Sequence, residues 1–503
     1  MKRISHTCAA LALVCFTGFC PPAAAEETRP LSIMQAIERA VAGNPDLRRE
    51  RVAVAQAAAR ELEAEGRFDV VLDAALEKKR DIVPLLSADS QDFTLGKTTT
   101  TSGTLGVGRS LESGGTLHLG VLASQVASSV PSNVASDSSL LPGTYYGSTL
   151  ALTFAHPLLR GFGTEVTLAN LRKSRIQHDV AQLGRQMRAC NVVRDVVVAY
   201  WELAYATQDL AIKRSALELA QEQLRTTQAM IGAGRLADSD AASVERAIAQ
   251  RQEDLATGEQ ILFFRSLDLQ RLFGVPANAN IALLLATDAP SAGTPSVDDP
   301  AEISRALEAN PQLHALRLGL RLSQLDLSTA RSTLRPRLDF TGSVGPVGFK
   351  SGLGDSVKQA AGFGALAWSA GLTFELPVQN RAARGQMQAA EEELNLARLN
   401  AEDFAAQLRD LVLRAARSIR TASARVAFGR REVEFAQQNL DAERARFQAG
   451  RATNNDVLLR QQELKDAETR LLRATVDQNE SEIALAAATA EVLERYGVVL
   501  KGL

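Results

Sequence analysis

An internal repeat constrains the fold of this 503-residue chain more than any other feature. Residues 40–47 read AVAGNPDL, and residues 306–313 read ALEANPQL. Each copy is followed by a helix-like segment, a strand region that ends at a proline, a very long helix-like segment, a glycine turn and a return helix. A repeat of this size predicts two similar structural units. We expect that neither unit forms a closed structure alone.

The first residues read as a secretory signal, predicted over residues 1–25. Lys2 and Arg3 precede an apolar run at residues 9–19, and residues 23–25 form an A-x-A cleavage site. The alternative, a membrane anchor, is disfavoured because the run is shorter than the ~18 residues that a span needs. The mature chain would begin at Glu26 and keep only Cys190, which we expect in a core rather than in a disulfide or a catalytic site.

Composition excludes several classes of function. The chain has 56 Lys and Arg against 58 Asp and Glu, a formal charge of −2, and no basic stripe, so nucleic acid is not a predicted partner. The histidines lack metal-ligand spacing and no catalytic motif is present. We therefore predict no enzyme activity, no metal and no cofactor. After the leader no apolar run is long enough for a transmembrane helix, so a membrane-spanning form would have to cross as strands.

Hydrophobic periodicity predicts the elements of each repeat. The first repeat spans 26–273 and the second 301–503, with a connector at 274–300. Helices are predicted over 31–66, 164–231, 239–273, 301–334, 380–448 and 454–496. Loops are predicted over 81–97, 128–146 and 345–364. The longest helices would be on the order of 100 Å long, with apolar seams at Val180, Leu183, Met187, Cys190, Val193, Val197, Tyr200 and Ala204, and at Leu408, Leu411, Ala415, Ile419, Ala422 and Val426.

The two copies differ in the strand region. Pro45 and Pro157 are 112 residues apart, whereas Pro311 and Pro377 are 66 apart. The surplus holds about two further strands around the turn at residues 113–115. These strands are either an extra membrane hairpin or an elaborated loop over the mouth of a barrel.

Four to six strands per chain are too few for closure, since a closed barrel needs about eight. In lipid each unpaired backbone group costs several kcal/mol. The long helices are likewise too extended to build a core alone. The chain must therefore oligomerise, and an exported oligomer of strands and long helices is a conduit.

The chain resembles the TolC-type outer-membrane efflux protein family over essentially the whole mature sequence. The resemblance is carried by the two Asn-Pro openings, by residues 156–163 (HPLLRGFG) and 377–381 (PVQNR) at the strand-to-helix joints, and by residues 450–458 (GRATNNDVL). It implies an α+β membrane protein with two structural repeats per chain. Three copies would form an outer-membrane β-barrel, with four strands each in the family, continued by a long periplasmic α-helical barrel. It also implies a periplasmic adaptor and an inner-membrane transporter of RND or ABC type as partners.

The resemblance also implies roles for particular residues. The glycine turns would be tips that dock to the adaptor, through Gly234, Arg235, Gly450, Arg451 and Thr453. Asp240 and Asp456 match aspartates of the closed periplasmic aperture, and Phe447 matches an aromatic at the constriction. Ordinary helix N-capping by the aspartates and core packing of Phe447 are the open alternatives. Pro157, Gly161 and Pro377 mark the strand-to-helix joints and are expected to be structural.

The tips depart from the family pattern at two positions. Ala452 replaces an arginine that can clasp a neighbouring aspartate, and Arg235 and Arg451 are the candidate substitutes. Leu459 replaces a second acidic ring. The predicted function is a passive exit duct for tripartite efflux or type I secretion, in the outer membrane of a Gram-negative-type cell. The alternative is a periplasmic coiled-coil scaffold or cell-surface structural protein without a pore.

Overall fold

The computed structural model describes residues 28–86, 93–129, 142–276, 282–293 and 296–500. The predicted signal segment lies outside these residues. The strands are β1 (Thr28–Leu31), β2 (Val70–Leu86), β3 (Phe93–Ser110), β4 (Thr116–Ser129), β5 (Gly143–Pro157), β6 (Leu283–Ala286), β7 (Arg337–Lys350) and β8 (Leu366–Glu375). The helices are α1 (Ile33–Gly43), α2 (Pro45–Glu65), α3 (Thr164–Thr167), α4 (Ala169–Gly232), α5 (Asp238–Leu272), α6 (Asp299–Ala309), α7 (Pro311–Thr333), α8 (Leu353–Ala361), α9 (Arg381–Gln448), α10 (Asn454–Ala488) and α11 (Val492–Arg495).

The Asn-Pro pairs start helices instead of lying inside them. Asn44 Oδ1 accepts hydrogen bonds from the backbone N–H of Asp46 (2.9 Å) and Leu47 (3.4 Å), and Asn310 makes the equivalent pair of bonds in the second repeat. The proline that follows occupies the first helical position, where it has no N–H to satisfy. The single helices predicted over 31–66 and 301–334 are therefore wrong, because each is divided at its asparagine cap.

Six strands form one antiparallel sheet in the order β2-β3-β4-β5-β7-β8. The extra hairpin is β3–β4, and it lies inside the sheet between β2 and β5 rather than forming a loop over it. The predicted loops at 81–97 and 345–364 are largely wrong. β2 continues to Leu86, β3 begins at Phe93, β7 continues to Lys350, and α8 follows it. Of the predicted loop at 128–146, residues 130–141 lie outside the described residues.

β1 and β6 form a short parallel pair that the sequence does not predict. β6 lies within the predicted connector. The fully buried Tyr200 of α4 holds this pair in place. Its hydroxyl oxygen lies 3.0 Å from Leu31 O and 2.8 Å from an oxygen of the Asp288 carboxylate, so its single proton is shared between these two acceptors. The ring therefore ties the start of the described chain to the connector.

The chain forms two compact units that do not coincide with the repeats. Of the described residues, one unit takes those within 28–43, 195–293 and 421–480, and the other takes those within 44–194, 296–420 and 481–500. The second unit has a core where α6 and α7 pack on α9 and α10 through Ala306, Leu313, Leu408, Val412, Ala415, Ile419, Leu485 and Ala488. Each unit thus combines parts of both halves of the sequence.

Most predicted seam positions are buried. The prediction that Leu411 lies in the buried seam is wrong, since its side chain is half exposed while that of Val412 is fully buried. Cys190 is a buried free thiol, and burial raises its pKa to about 11, as expected for a core cysteine. Among the described residues, no helix has the length and apolar character that crossing a membrane would require.

Candidate functional site: the helix-turn tips

The candidate site consists of two turns, the first tip (residues 230–240) and the second tip (residues 447–456). Both turns have the same backbone hydrogen bonds. Gly234 N–H donates to Ile231 O (2.9 Å) and Arg235 N–H to Met230 O (2.9 Å); the second tip repeats this at Gly450 (2.9 Å) and Arg451 (2.8 Å). This is the Schellman arrangement, which requires a left-handed residue after the helix. The two glycines have φ of 70° and 72°.

In the first turn of each returning helix, an aspartate accepts a hydrogen bond from the backbone. Asp240 receives one from Ala237 N–H (3.1 Å). Asp456 receives two from Thr453, one from its N–H (2.9 Å) and one from its hydroxyl (2.7 Å). These bonds lower the pKa of Asp456, so its exposed carboxylate stays charged. Both aspartates are third helical residues that bond back to the cap, so they are part of the cap without being the cap residue itself.

The two tips share a small apolar core. Phe447 is 3% exposed and belongs to a cluster with Leu440, Val457 and Leu464, against which Met230 and other side chains pack. Phe447 is therefore packed in the core of the tips, and its role at a constriction stays a prediction.

Asn454 joins three helices beneath the tips. Its side chain is buried, and its Oδ1 accepts hydrogen bonds from Gln223 Nε2 (2.8 Å) and Thr227 Oγ1 (2.8 Å), both on α4. Its Nδ2 donates to Asp240 O at the start of α5 (3.4 Å). The sequence motif at residues 450–458 contains Asn454 but does not predict this role. Its partners lie more than 200 residues away, and no neighbouring residue indicates them.

A second buried polar contact lies further along the same helices. Arg251 is 4% exposed, and its Nη1 donates to Ala216 O (3.0 Å) and to Gln461 Oε1 (2.9 Å). Gln461 in turn donates to Leu219 O (3.3 Å). Burial lowers the pKa of Arg251. Together with Asn454, this contact fixes the relative positions of α4, α5 and α10.

The candidate substitutes for the missing clasp do not pair with the aspartates. Arg235 Nη2 makes a long contact to Gln448 O (3.5 Å), which joins the first tip to the second. Within the described residues, neither Arg235 nor Arg451 forms an ion pair with Asp240 or Asp456. The tips consequently present two exposed arginines outward.

A groove of about 460 Å³ opens between α5 and α10 beside Asp456. Its polar lining includes Arg246, Arg251 and Asp254 from α5 and Asn455, Asp456 and Gln462 from α10. The nearby Arg460 forms an ion pair with Glu463 (2.7 Å). In the part of the chain that the structure describes, the Asp456 carboxylate forms no ion pair.

A charged cluster on the same unit holds α4 against α10. Arg473 contacts the carboxylates of Glu202 (2.6 Å), Asp477 (2.6 Å) and Glu480 (3.3 Å). Burial raises the pKa of Glu480 to about 7, although Arg473 opposes the shift. The outer arginines of the cluster are Arg265, on Glu202, and Arg425, on Asp477.

The strand-to-helix joints lie in the other unit. Pro157 is the last residue of β5, and Gly161, with φ of 84°, donates its N–H to Ser332 Oγ (3.2 Å). Pro377 lies between β8 and α9. Asn380, with φ of 41°, donates its side-chain N–H to Leu334 O (3.2 Å). The joints are thus fixed by contacts to the end of α7.

The sequence of the chain is similar to a protein-family model and to a known protein. Residues 303–491 match the family model described as outer membrane efflux protein. The chain is 22% identical over 335 residues to nodulation protein T of Rhizobium leguminosarum bv. trifolii, covering 66% of this chain and 69% of that protein.

Two solved outer-membrane proteins have a similar fold. The CmeC outer membrane channel of Campylobacter jejuni matches with a TM-score of 0.65 and 14% identity, over 91% of this chain and 85% of that one. The outer membrane protein VceC of Vibrio cholerae matches with a TM-score of 0.63 and 15% identity, over 91% and 96%.

Proposed function

We propose that this chain, which carries an outer membrane efflux protein domain at residues 303–491, is the outer-membrane exit duct of a tripartite efflux or type I secretion system. It would conduct cargo passively, as a homotrimer whose sheets close into a barrel in the outer membrane and whose long helices line a periplasmic tunnel.

The observation that carries this proposal is the two-faced character of the sheet. Strand register connects one residue of each strand into a row across the sheet: Leu72, Val107, Leu119, Leu152, Val344 and Trp368. The row one residue along projects from the opposite face: Val71, Gly108, His118, Thr153, Ser343 and Ser369. In these two rows, the side chains on one face are therefore large and apolar, and those on the other face are mostly small or polar.

The apolar face is also exposed. Leu76 is 92% exposed and Trp368 is 74% exposed. A folded protein in water rarely leaves an apolar surface of this extent uncovered. Lipid on the apolar side and water on the other side satisfy both faces, as in the wall of a transmembrane barrel.

The tips supply the proposed docking surface. Two rigid turns with exposed arginines and a charged groove beside Asp456 suit a periplasmic adaptor, which would link the duct to an inner-membrane transporter. Asp240 and Asp456 are the proposed aperture residues, because threefold symmetry would bring three copies of each carboxylate around one axis.

Membrane fractionation tests the proposal directly. We expect the protein in the outer-membrane fraction, resistant to extraction with sodium carbonate, and we expect the purified protein to conduct ions in a planar bilayer. Release by salt or carbonate, with no conductance, would refute the duct and favour the pore-free scaffold.

The docking surface has its own test. A photoactivatable cross-linker on Arg451→Cys should capture a periplasmic adaptor in intact cells, whereas the same probe on exposed Asp441→Cys, on α9 outside the second tip, should capture less. Equal capture at both sites would remove the second tip from the docking surface.

A further inference from the structure

We propose that all six strands of each copy enter the closed sheet, and that the free edges of β2 and β8 are the interface between copies of this chain. The proposal rests on the exit-duct function above and deepens it. Three copies would close a sheet of 18 strands, six per chain instead of the four that the family resemblance implies.

The extra hairpin is paired as fully as the rest of the sheet. Every residue of the 17-residue strand β2 has a partner on β3, from Val70 with Arg109 to Leu86 with Phe93. β4 pairs with β3 along all 14 of its residues. These lengths exceed the roughly 9–11 residues that a transmembrane strand needs.

The hairpin also continues the apolar row and the opposite row across the sheet. Val107 and Leu119 occupy the apolar row between Leu72 and Leu152, while Gly108 and His118 occupy the opposite row. A hairpin folded over the mouth of a barrel would not need this alternation. Strands that separate lipid from water do need it.

The turn of the hairpin is fastened to the first strand-to-helix joint. Gly163 N–H donates to Ser113 O (3.1 Å), and the Ser113 hydroxyl lies 3.0 Å from His156 Nε2. At Gly114, which has φ of 104°, a Cβ would lie only 2.7 Å from Gly161 O. The turn is therefore held at the level where the other strands meet their helices.

The two edges of the sheet are complementary to each other. Within the described residues, β2 pairs only with β3, and β8 pairs only with β7. In an antiparallel sheet of six strands the first and last strands run in opposite directions, so β8 of one copy can pair antiparallel with β2 of the next. Leu72 and Trp368 lie in the same apolar row, so this pairing keeps the apolar face on one side. A second copy of this chain is thus the occupant that fits both edges, and an unpaired edge in lipid would be costly.

The strand number sets the width of the lumen. With strands about 4.8 Å apart and tilted by about 40°, 18 strands give a backbone diameter of about 36 Å, compared with about 24 Å for 12 strands. After allowance for small side chains such as those of Ser343 and Ser369, the opening would pass hydrated cargo on the order of 20 Å wide. Selection of cargo would then fall to the periplasmic end.

Disulfide cross-linking in the full-length protein tests the arrangement. Ser369→Cys on β8 is combined in turn with a cysteine at Val71, Asp73 or Ala75 on β2, all on the polar face. Oxidation should give covalently linked copies on a denaturing gel, strongest for one of the three positions. Cys190 is buried and is not expected to compete.

The matched control is Thr153→Cys on β5, which is used instead of Ser369→Cys. Since β3 and β4 separate β5 from β2 by about 14 Å, this cysteine should form no disulfide with the β2 positions. An intramolecular bond between β5 and β2 would mean that the hairpin has left the sheet, and it would overturn the proposal. So would the absence of any link from Ser369→Cys.

Cryo-electron microscopy of the purified wild-type protein gives a second readout that does not depend on the cysteine variants. We expect 18 strands around the lumen, and 12 would overturn the proposal. A carbonate-resistant, conducting protein with 12 strands would leave the exit duct intact, whereas a protein washed off the membrane would refute the duct itself.

Discussion

At the scale of single residues, the packing of the helices at the tips depends on the buried side chains of Asn454 and Arg251. The exposed charged side chains contribute less to this packing. Asn454 connects α4, α5 and α10 through three hydrogen bonds, and Arg251 makes two more below it. Among the described residues, the exposed Asp456 and Arg235 form hydrogen bonds with the backbone and side chains of the turns. The contacts that fix the helices at the tips therefore involve different residues from those proposed for docking.

Asn454→Ala should destabilise the tips. The substitution leaves the Gln223 side-chain amide without its buried acceptor, whereas the Thr227 hydroxyl keeps its bond to Gln223 O (2.8 Å). An unsatisfied buried donor costs about 1–3 kcal/mol. We expect a lower apparent Tm and faster hydrogen exchange in both tips. Asn455→Ala changes the exposed neighbouring residue and should leave both quantities unaltered. Equal effects of the two substitutions would contradict the role of Asn454.

Glu480 should make the stability of its unit depend on pH. Its pKa is raised from 4.5 to about 7, first by burial and then by Glu202 and Asp477. The stabilisation is complete below pH 4.5 and is lost as pH rises through 7. Relative to Glu480→Gln, the wild-type protein should therefore lose apparent Tm between pH 5 and pH 8. The exposed Glu434→Gln variant should follow the wild type, and parallel curves for Glu480→Gln would refute this assignment.

At the scale of elements, the features that sequence predicts are those that local chemistry determines. The glycine turns, the long helices and the alternation within β5 and β7 follow from residues close to one another. The division of the helices at Asn44 and Asn310 is also predictable from the sequence, since asparagine before proline is a helix-start signal. α8 was missed because the glycines around it favour a loop, whereas its place depends on Ser356, whose hydroxyl lies 2.8 Å from that of Ser148 on β5.

The tips illustrate the same limit. Glycine and aspartate spacing predicts two turns followed by capped helices, and the structure contains both. The partners of Asn454 and Arg251 lie on helices distant in sequence, so no local pattern reveals them. The roles of the tips in docking and gating stay predictions.

Replacing the tip glycines by alanine should be unfavourable for a purely conformational reason. A Cβ at Gly234 meets no atom within 4 Å, and at Gly450 the nearest atom is 3.6 Å away. The remaining cost is the left-handed backbone, about 1 kcal/mol. Gly232, helical and with open space around it, is the matched control, since alanine there should be neutral or stabilising. Differential scanning calorimetry should show opposite signs, and a fall in Tm at all three positions would contradict this account.

At the scale of the whole molecule, the two halves of the sequence fold together, and the proposed assembly adds neighbouring copies. Each compact unit takes segments from both repeats. The surplus strands of the first repeat join those of the second in one sheet, and within the described residues the outer edges of β2 and β8 have no partner strand. In the proposed trimer, closure of the sheet would be a property of the assembly, and so would any ring of charge at its axis.

The proposed ring of Asp456 carboxylates makes the final prediction. Hydrogen bonds from Thr453 lower the pKa of Asp456, so three copies should stay ionised at neutral pH and favour cations in a narrow aperture. Asp456→Asn keeps an oxygen for the helix cap but removes the charge. It should reduce cation selectivity and weaken block by a trivalent cation in single-channel recordings. Asp441→Asn removes an exposed charge from α9 outside the second tip and should change neither. If Asp456→Asn behaves as the wild type does, Asp456 does not line the aperture.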